Sequence, residues 1–98
     1  MIRKLDIRMD IRYDKVFRKQ YRKASKNIHS AFSERLELFQ ADPFHPFLHN
    51  HALTGSYKGF RSINITGDWR ALYMENRFVT GEIIIEFKLF GTHSQLYR

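Results

Sequence analysis

The 98-residue sequence contains no cysteine. That excludes a disulfide framework, a thiolate nucleophile and a zinc–thiolate centre. The absence fits a reducing compartment. No apolar run approaches the roughly 18 residues a membrane-spanning helix needs. The N-terminal stretch MIRKLDIRMD carries charges throughout and holds no signal-peptide apolar segment. A soluble, cytoplasmic protein with no membrane partner is expected. Repeats, linkers and low-complexity segments are also missing. At this length the chain is expected to form one domain, residues 1–98, around one modest core.

Acidic residues are few: 10 Asp and Glu stand against 17 Lys and Arg, for a net charge of +7. The imbalance is local. Residues 1–26 hold ten of the basic residues and three aspartates, whereas residues 27–98 hold seven of each sign. Such a block attracts polyanions, nucleic acid being the commonest. The ordinary alternative is a solvated helix face that keeps the protein soluble. Hydrophobic residues make up 43% of the chain and aromatic residues 15%, a globular composition rather than a disordered one.

Residues 5–13 alternate, with Leu5, Ile7, Met9, Ile11 and Tyr13 apolar, which predicts a half-buried strand. Asp14 is placed to cap a helix whose apolar stripe is Phe17, Tyr21, Ala24 and Ile28. Arg18, Lys19, Arg22 and Lys23 fall on its other faces. Ser25 opens a second helix with Ile28, Phe32, Leu36 and Phe39 on one stripe. It ends at Asp42-Pro43, because a residue preceding proline disfavours helical angles. Residues 41–59 read as loop. Three strands are expected next, over Phe60–Ile65, Trp69–Met74 and Glu82–Phe90, with Thr66-Gly67-Asp68 as a hairpin turn. The tail from Gly91 is expected to leave the sheet as a loop or short turn. The order predicts an α+β fold: an N-terminal strand and a two-helix antiparallel hairpin packed on a small, mainly antiparallel sheet with a three-stranded C-terminal meander. The other sheet face is expected to be open, lined by Ser62, Asn64, Arg70, Glu86 and Lys88.

His45, His49 and His51 lie within seven residues. Their spacings match no established ligand pattern, so no metal and no cofactor are expected. Acid–base chemistry on RNA is the other reading. Cleaving a phosphodiester needs a base for the 2′-hydroxyl proton, an acid for the departing 5′-oxygen, and cations for the charge that builds at phosphorus. Histidine suits both proton roles, since its ordinary pKa is roughly 6.5. Candidates are His51, Asp68 and His93, with Lys58, Arg61, Arg70 and Lys88 as cations. Trp69 and Tyr97 are candidates to stack a base. Each residue also has an ordinary explanation. Asp68 fits a turn, Trp69 a core, Lys58 and Arg61 solvated edge-strand charges, and His93 a surface position.

The stretch from His51 to Arg61, HALTGSYKGFR, resembles the H-x-L-x-G-x-x-x-G-x-R segment of the RelE/ParE toxin superfamily. Gly67-Asp68-Trp69-Arg70-Ala71-Leu72-Tyr73 and Gly91-Thr92-His93-Ser94-Gln95-Leu96-Tyr97 are similar to its later segments. So are Phe17-Arg18-Lys19-Gln20-Tyr21 and Asp42-Pro43, and the YafQ branch is the most alike. The likeness covers residues 10–97. It implies a RelE-like microbial ribonuclease fold and the toxin of a type II toxin–antitoxin system, an endoribonuclease (mRNA interferase) that acts on the ribosome. Its implied partners are a small acidic antitoxin, the ribosome and mRNA, and the free toxin is expected to be monomeric. The resemblance assigns the site to His51, Asp68-Trp69, His93 and Tyr97. His51 or Asp68 would be the base, His93 the acid, and Arg70 the cation at the phosphate. Lys58, Arg61, Lys88 and the first-helix residues Arg18, Lys19, Arg22 and Lys23 would bind RNA. Two positions depart from the branch: Asn64 replaces a histidine and Leu89 an arginine. The alternative is a ParE-like inhibitor of DNA gyrase, which does not need the His51, Asp68 and His93 set.

Overall fold

A computed structural model describes residues 8–97. Leu5 and Ile7 of the expected first strand lie outside the described residues. Strand β1 spans Met9–Tyr13, with half-buried and exposed residues alternating as the period predicts. The Asp14 carboxylate accepts from the Phe17 amide at 3.0 Å and starts helix α1, Lys15–Arg22. Ser25 caps helix α2, Lys26–Ala41, by accepting from the Ile28 amide at 3.3 Å. Both caps satisfy first-turn amides that have no partner inside the helix.

The stretch 41–59, expected as loop, is more ordered than that. It holds a 3₁₀ turn at Pro46–Leu48, a two-residue strand β2 at His51–Ala52 and a second 3₁₀ turn at Gly55–Tyr57. Strands β3 (Arg61–Thr66), β4 (Trp69–Arg77) and β5 (Ile83–Thr92) follow. Gly67 takes a positive φ of 42° in the β3–β4 turn, a conformation side chains rarely tolerate. The tail forms a short helix α3, His93–Leu96, where a loop or short turn was expected. Its signal was present in the sequence. Thr92 and Gln95 form a reciprocal capping box, a T-x-x-Q spacing.

The five strands form one sheet in the order β1-β5-β4-β3-β2. Strand β1 runs parallel to β5, and the other pairs are antiparallel. Helices α1 and α2 pack on one face. Their Phe17, Phe32 and Phe39 meet Ile63, Ile65, Ala71, Tyr73, Ile85, Phe87 and Phe90 of the sheet. Each fully buried aromatic of this kind contributes about 1.5–3 kcal/mol. Arg35 of α2 also donates to the Ile65 carbonyl at 3.0 Å.

The opposite, outer face is not simply open. Helix α3 and the turn Gly55–Tyr57 fold over part of it. Leu72, Ser62 and Leu96 are buried there, outside the main core. Leu72 and Leu89 are paired across β4 and β5 on this face, and apolar surface of that kind favours a cover. Among the described residues, no helix is long and apolar enough to cross a membrane.

Candidate active site on the outer sheet face

Directly paired residues of neighbouring strands point to the same side of a sheet. His51 pairs with Ser62, Ser62 with Leu72, and Leu72 with Leu89. Asn64 pairs with Arg70, and Arg70 with Gly91. These two rows lie on the outer face, because the alternate residues Ile63, Ala71, Tyr73 and Phe90 enter the helix-side core. His51 therefore stands at the β2 edge of that face. The rows separate it from α3, which begins with His93.

The exposed His51 ring is oriented by its own loop. Its Nδ1 lies 2.8 Å from the His49 carbonyl, which can only accept, so Nδ1 carries the proton. When the ring is neutral, Nε2 is therefore its lone-pair acceptor. His49 sits in the left-handed region at φ 47°, and its ring lies 5.1 Å from that of His51. On the far side, the His93 amide donates to the Asp68 carbonyl at 2.9 Å. That bond ties α3 to the β3–β4 turn and makes His93 and Asp68 neighbours. The His93 and Tyr97 rings are 4.7 Å apart, and Tyr97 meets Tyr57 edge-on at 5.4 Å. Tyr57 donates its hydroxyl to the Leu96 carbonyl, which clamps the end of α3. Sequence reasoning missed Tyr57 because it lies in a stretch read as loop.

Arg70 is half-buried and curls over the hairpin turn. Its Nη1 donates to the Gly67 and Trp69 carbonyls at 2.8 and 3.0 Å, leaving Nη2 and Nε for an anion. The Ser62 hydroxyl and the Asn64 Oδ1 are buried beside this row with no partner among the described residues. Among the described residues, no three His, Asp or Glu side chains are grouped to hold a metal ion.

Other sequence candidates fall elsewhere. Arg61 pairs with Tyr73 and so faces the helix side, sharing the parity of Ile63 and Ile65. Its Nε donates to Asn50 Oδ1 at 2.8 Å, and its guanidinium covers the Phe44 ring at 5.3 Å. Asn50 in turn donates to the Tyr73 hydroxyl at 2.8 Å and to the Pro43 carbonyl at 2.9 Å. Arg61 thus holds the loop that carries His51 and does not line the outer face. Trp69 is half-buried on the core side, 5.4 Å from Phe90. Its inner edge supports the fold there.

Lys88 is the extra residue of a β-bulge: Leu72 pairs with Leu89, but Tyr73 pairs with Phe87. It reaches Asp14 at 3.1 Å and Glu86 at 3.5 Å. Its hydrogen bond to Asp14 pushes the Lys88 ammonium pKa up, against a burial penalty, and both carboxylates add to the rise. Burial works to raise the Asp14 pKa, but the Phe17 amide and Lys88 outweigh it and hold that carboxyl below its ordinary value. Lys58 is exposed behind the second 3₁₀ turn. Arg18, Lys19, Arg22 and Lys23 are exposed on and just after α1, beside the helix-side core and not on the outer face.

Comparison with known proteins decides the family. Residues 9–98 match the family described as the bacterial toxin of the type II toxin–antitoxin system, YafQ. The chain belongs to that family. The Escherichia coli YafQ crystal structure superposes with a TM-score of 0.75 at 23% identity, covering 93% of this chain and all of that one. In the E. coli DinJ–YafQ toxin–antitoxin complex the match is 25% identical, with a TM-score of 0.66 over 94% of this chain and 100% of that one. A YoeB/ParE toxin from Agrobacterium tumefaciens shares the fold at 16% identity, with a TM-score of 0.70 over 87% of this chain and 99% of that one. No curated protein sequence matches the chain. The RelE-like fold and a type II toxin follow from these likenesses.

Proposed function

We propose that this toxin is an endoribonuclease that cuts mRNA on the ribosome by acid–base catalysis, without a cofactor. The observation that carries the reading is the fixed tautomer of His51 across the face from His93. His51 Nε2 takes the 2′-hydroxyl proton, and the 2′-oxygen attacks phosphorus. The bond to the 5′-oxygen breaks as His93, protonated, supplies that oxygen with a proton. Asp68 is the other candidate base. Its bond to His93 sets it on the acid's side of the face, whereas in-line displacement favours a base and an acid on opposite sides of the phosphate. Arg70 Nη2 and Nε meet the phosphoryl oxygens, and Tyr97 stacks a base.

Lys19 and Lys23 turn away from the helix-side core, and with Lys58 they give ribosomal RNA a cationic contact. An antitoxin holds the toxin in check, and the free toxin is a monomer; the E. coli relative YafQ likewise occurs in a toxin–antitoxin complex with DinJ. Mapping mRNA 5′ ends on translating ribosomes tests the chemistry. Wild type should produce discrete cuts, and folded His93→Ala or His51→Ala should lose them at least 100-fold. Full cutting by His93→Ala would refute the role of His93. Intact mRNA with induced DNA damage would instead support gyrase inhibition.

A further inference from the structure

Three histidines lie within residues 45–51, and the fold sets one of them apart. The His45 ring packs on Phe47 at 4.7 Å, and its Nδ1 accepts from the Phe47 amide at 3.1 Å. That lone pair is occupied, so neutral His45 carries its proton on Nε2 and has no free ligand nitrogen. His49 and His51 form a pair instead. Both are exposed, and their ring centroids lie 5.1 Å apart. Two imidazoles bound through nitrogen at about 2.0–2.1 Å to one tetrahedral ion put their centroids about 5 Å apart. The pair is anchored from beneath. Asn50, between the two, donates to the Pro43 carbonyl at 2.9 Å and the Tyr73 hydroxyl at 2.8 Å, and accepts from Arg61 Nε at 2.8 Å. Leu48, just before the pair, is fully buried.

We infer that His49 and His51 together bind a divalent transition ion, zinc or copper, and that the bound ion silences the toxin. Imidazole nitrogen suits these ions, whereas magnesium takes oxygen ligands. The bond between His51 Nδ1 and the His49 carbonyl is the kind of outer contact that fixes the tautomer of a metal-binding histidine and raises its basicity. It leaves His51 Nε2 for the ion. Among the described residues no third His, Asp or Glu joins the pair, so water fills the remaining positions. A two-ligand site of this kind is exchangeable and binds its ion reversibly. An ion on Nε2 occupies the lone pair that would take the 2′-hydroxyl proton, so the loaded ring cannot act as base. The inhibitory role therefore rests on the reading of His51 as the base, whereas the ion site does not.

The test titrates the full chain with zinc chloride, by calorimetry and by the shifts of the imidazole ring protons, with magnesium chloride as comparison. Zinc should move the rings of His49 and His51 and leave those of His45 and His93, and magnesium should move none. His49→Asn keeps the left-handed turn, which asparagine tolerates, and should weaken zinc at least tenfold. His51→Gln should do the same, and His45→Ala should change zinc affinity less than threefold. Copper should bind the same pair more tightly than zinc. On translating ribosomes, saturating zinc should lower wild-type cutting at least tenfold, and a zinc-selective chelator should restore it. Whatever cutting His49→Asn retains should tolerate that zinc. Zinc shifts centred on other histidines, unchanged zinc affinity in His49→Asn, or full cutting by the zinc-saturated toxin would overturn the inference. Failure of the mRNA reading would remove the inhibitory role and leave the zinc titration to decide the site, so the two fail separately.

Discussion

Gly91 lies under α3, and replacing it with alanine tests whether that helix must be seated for activity. A Cβ there would meet Gln95 Oε1 at 3.0 Å and Leu96 Cδ2 at 3.5 Å. The leucine contact is ordinary, but the glutamine contact is too close. Gln95 Oε1 is not free to retreat, because it accepts from the Thr92 amide at 2.9 Å in the capping box. Displacing it costs one hydrogen bond, about 0.5–1.5 kcal/mol. Gly91 does not have the positive φ that would itself penalise alanine. The substitution thus recovers about 0.4–1 kcal/mol by stiffening the unfolded chain. The net change is about 1 kcal/mol or less, which for a domain of this size moves Tm by about 4–8 °C at most. The effect on activity should be far larger. His93 opens the helix that the box caps, and a displacement of about 1 Å in a proton donor can cost 100-fold. Calorimetry and cleavage-end mapping on the same preparation check both numbers. Cutting within twofold of wild type would refute the need for a seated α3. A Tm fall beyond about 10 °C would refute the claim that the clash is local.

Asp14→Asn keeps an accepting cap oxygen and should cost about 0.5–1 kcal/mol at neutral pH by urea unfolding, from the loss of the Lys88 pair. The sign with pH follows from the two shifts. The lowered Asp14 pKa gives stability present above its ordinary value of roughly 4 and lost as pH falls through the depressed folded value. The raised Lys88 pKa gives stability present below roughly 10.4 and lost as pH rises through the elevated folded value. Wild type and Asp14→Asn should therefore differ most between those limits and converge at acid pH. Tyr73→Phe removes the hydroxyl that Asn50 donates to and should cost about 1 kcal/mol. Amide hydrogen exchange should show faster opening of residues 43–52. Ser62→Ala removes a buried hydroxyl without a partner among the described residues, so the denaturant midpoint should hold or rise.

The two helices and their caps were legible because their causes are local. Asp14 and Ser25 each cap amides three residues ahead, and the stripe from Phe17 to Phe39 follows helical spacing. The meander was legible too, since alternation and the Gly67 turn sit within one stretch of chain. The motif residues His51, Asp68, Arg70, His93 and Tyr97 were identifiable from their order. Their arrangement was not, because it depends on pairing between distant strands. Strand β2 is only two residues long, too short to show a period, yet it sets His51 on the outer face. The parity that sends Arg61 to the helix side was visible beside Ile63 and Ile65, but its partner Asn50 lies eleven residues away across a loop. The bulge that delivers Lys88 to Asp14 arises from register between β4 and β5, which no local rule states. By itself the sequence determined the elements, their caps and the chemical groups available. Tertiary structure alone decided which groups share a face, because strand order, register and the seating of α3 bring together residues from separate parts of the chain.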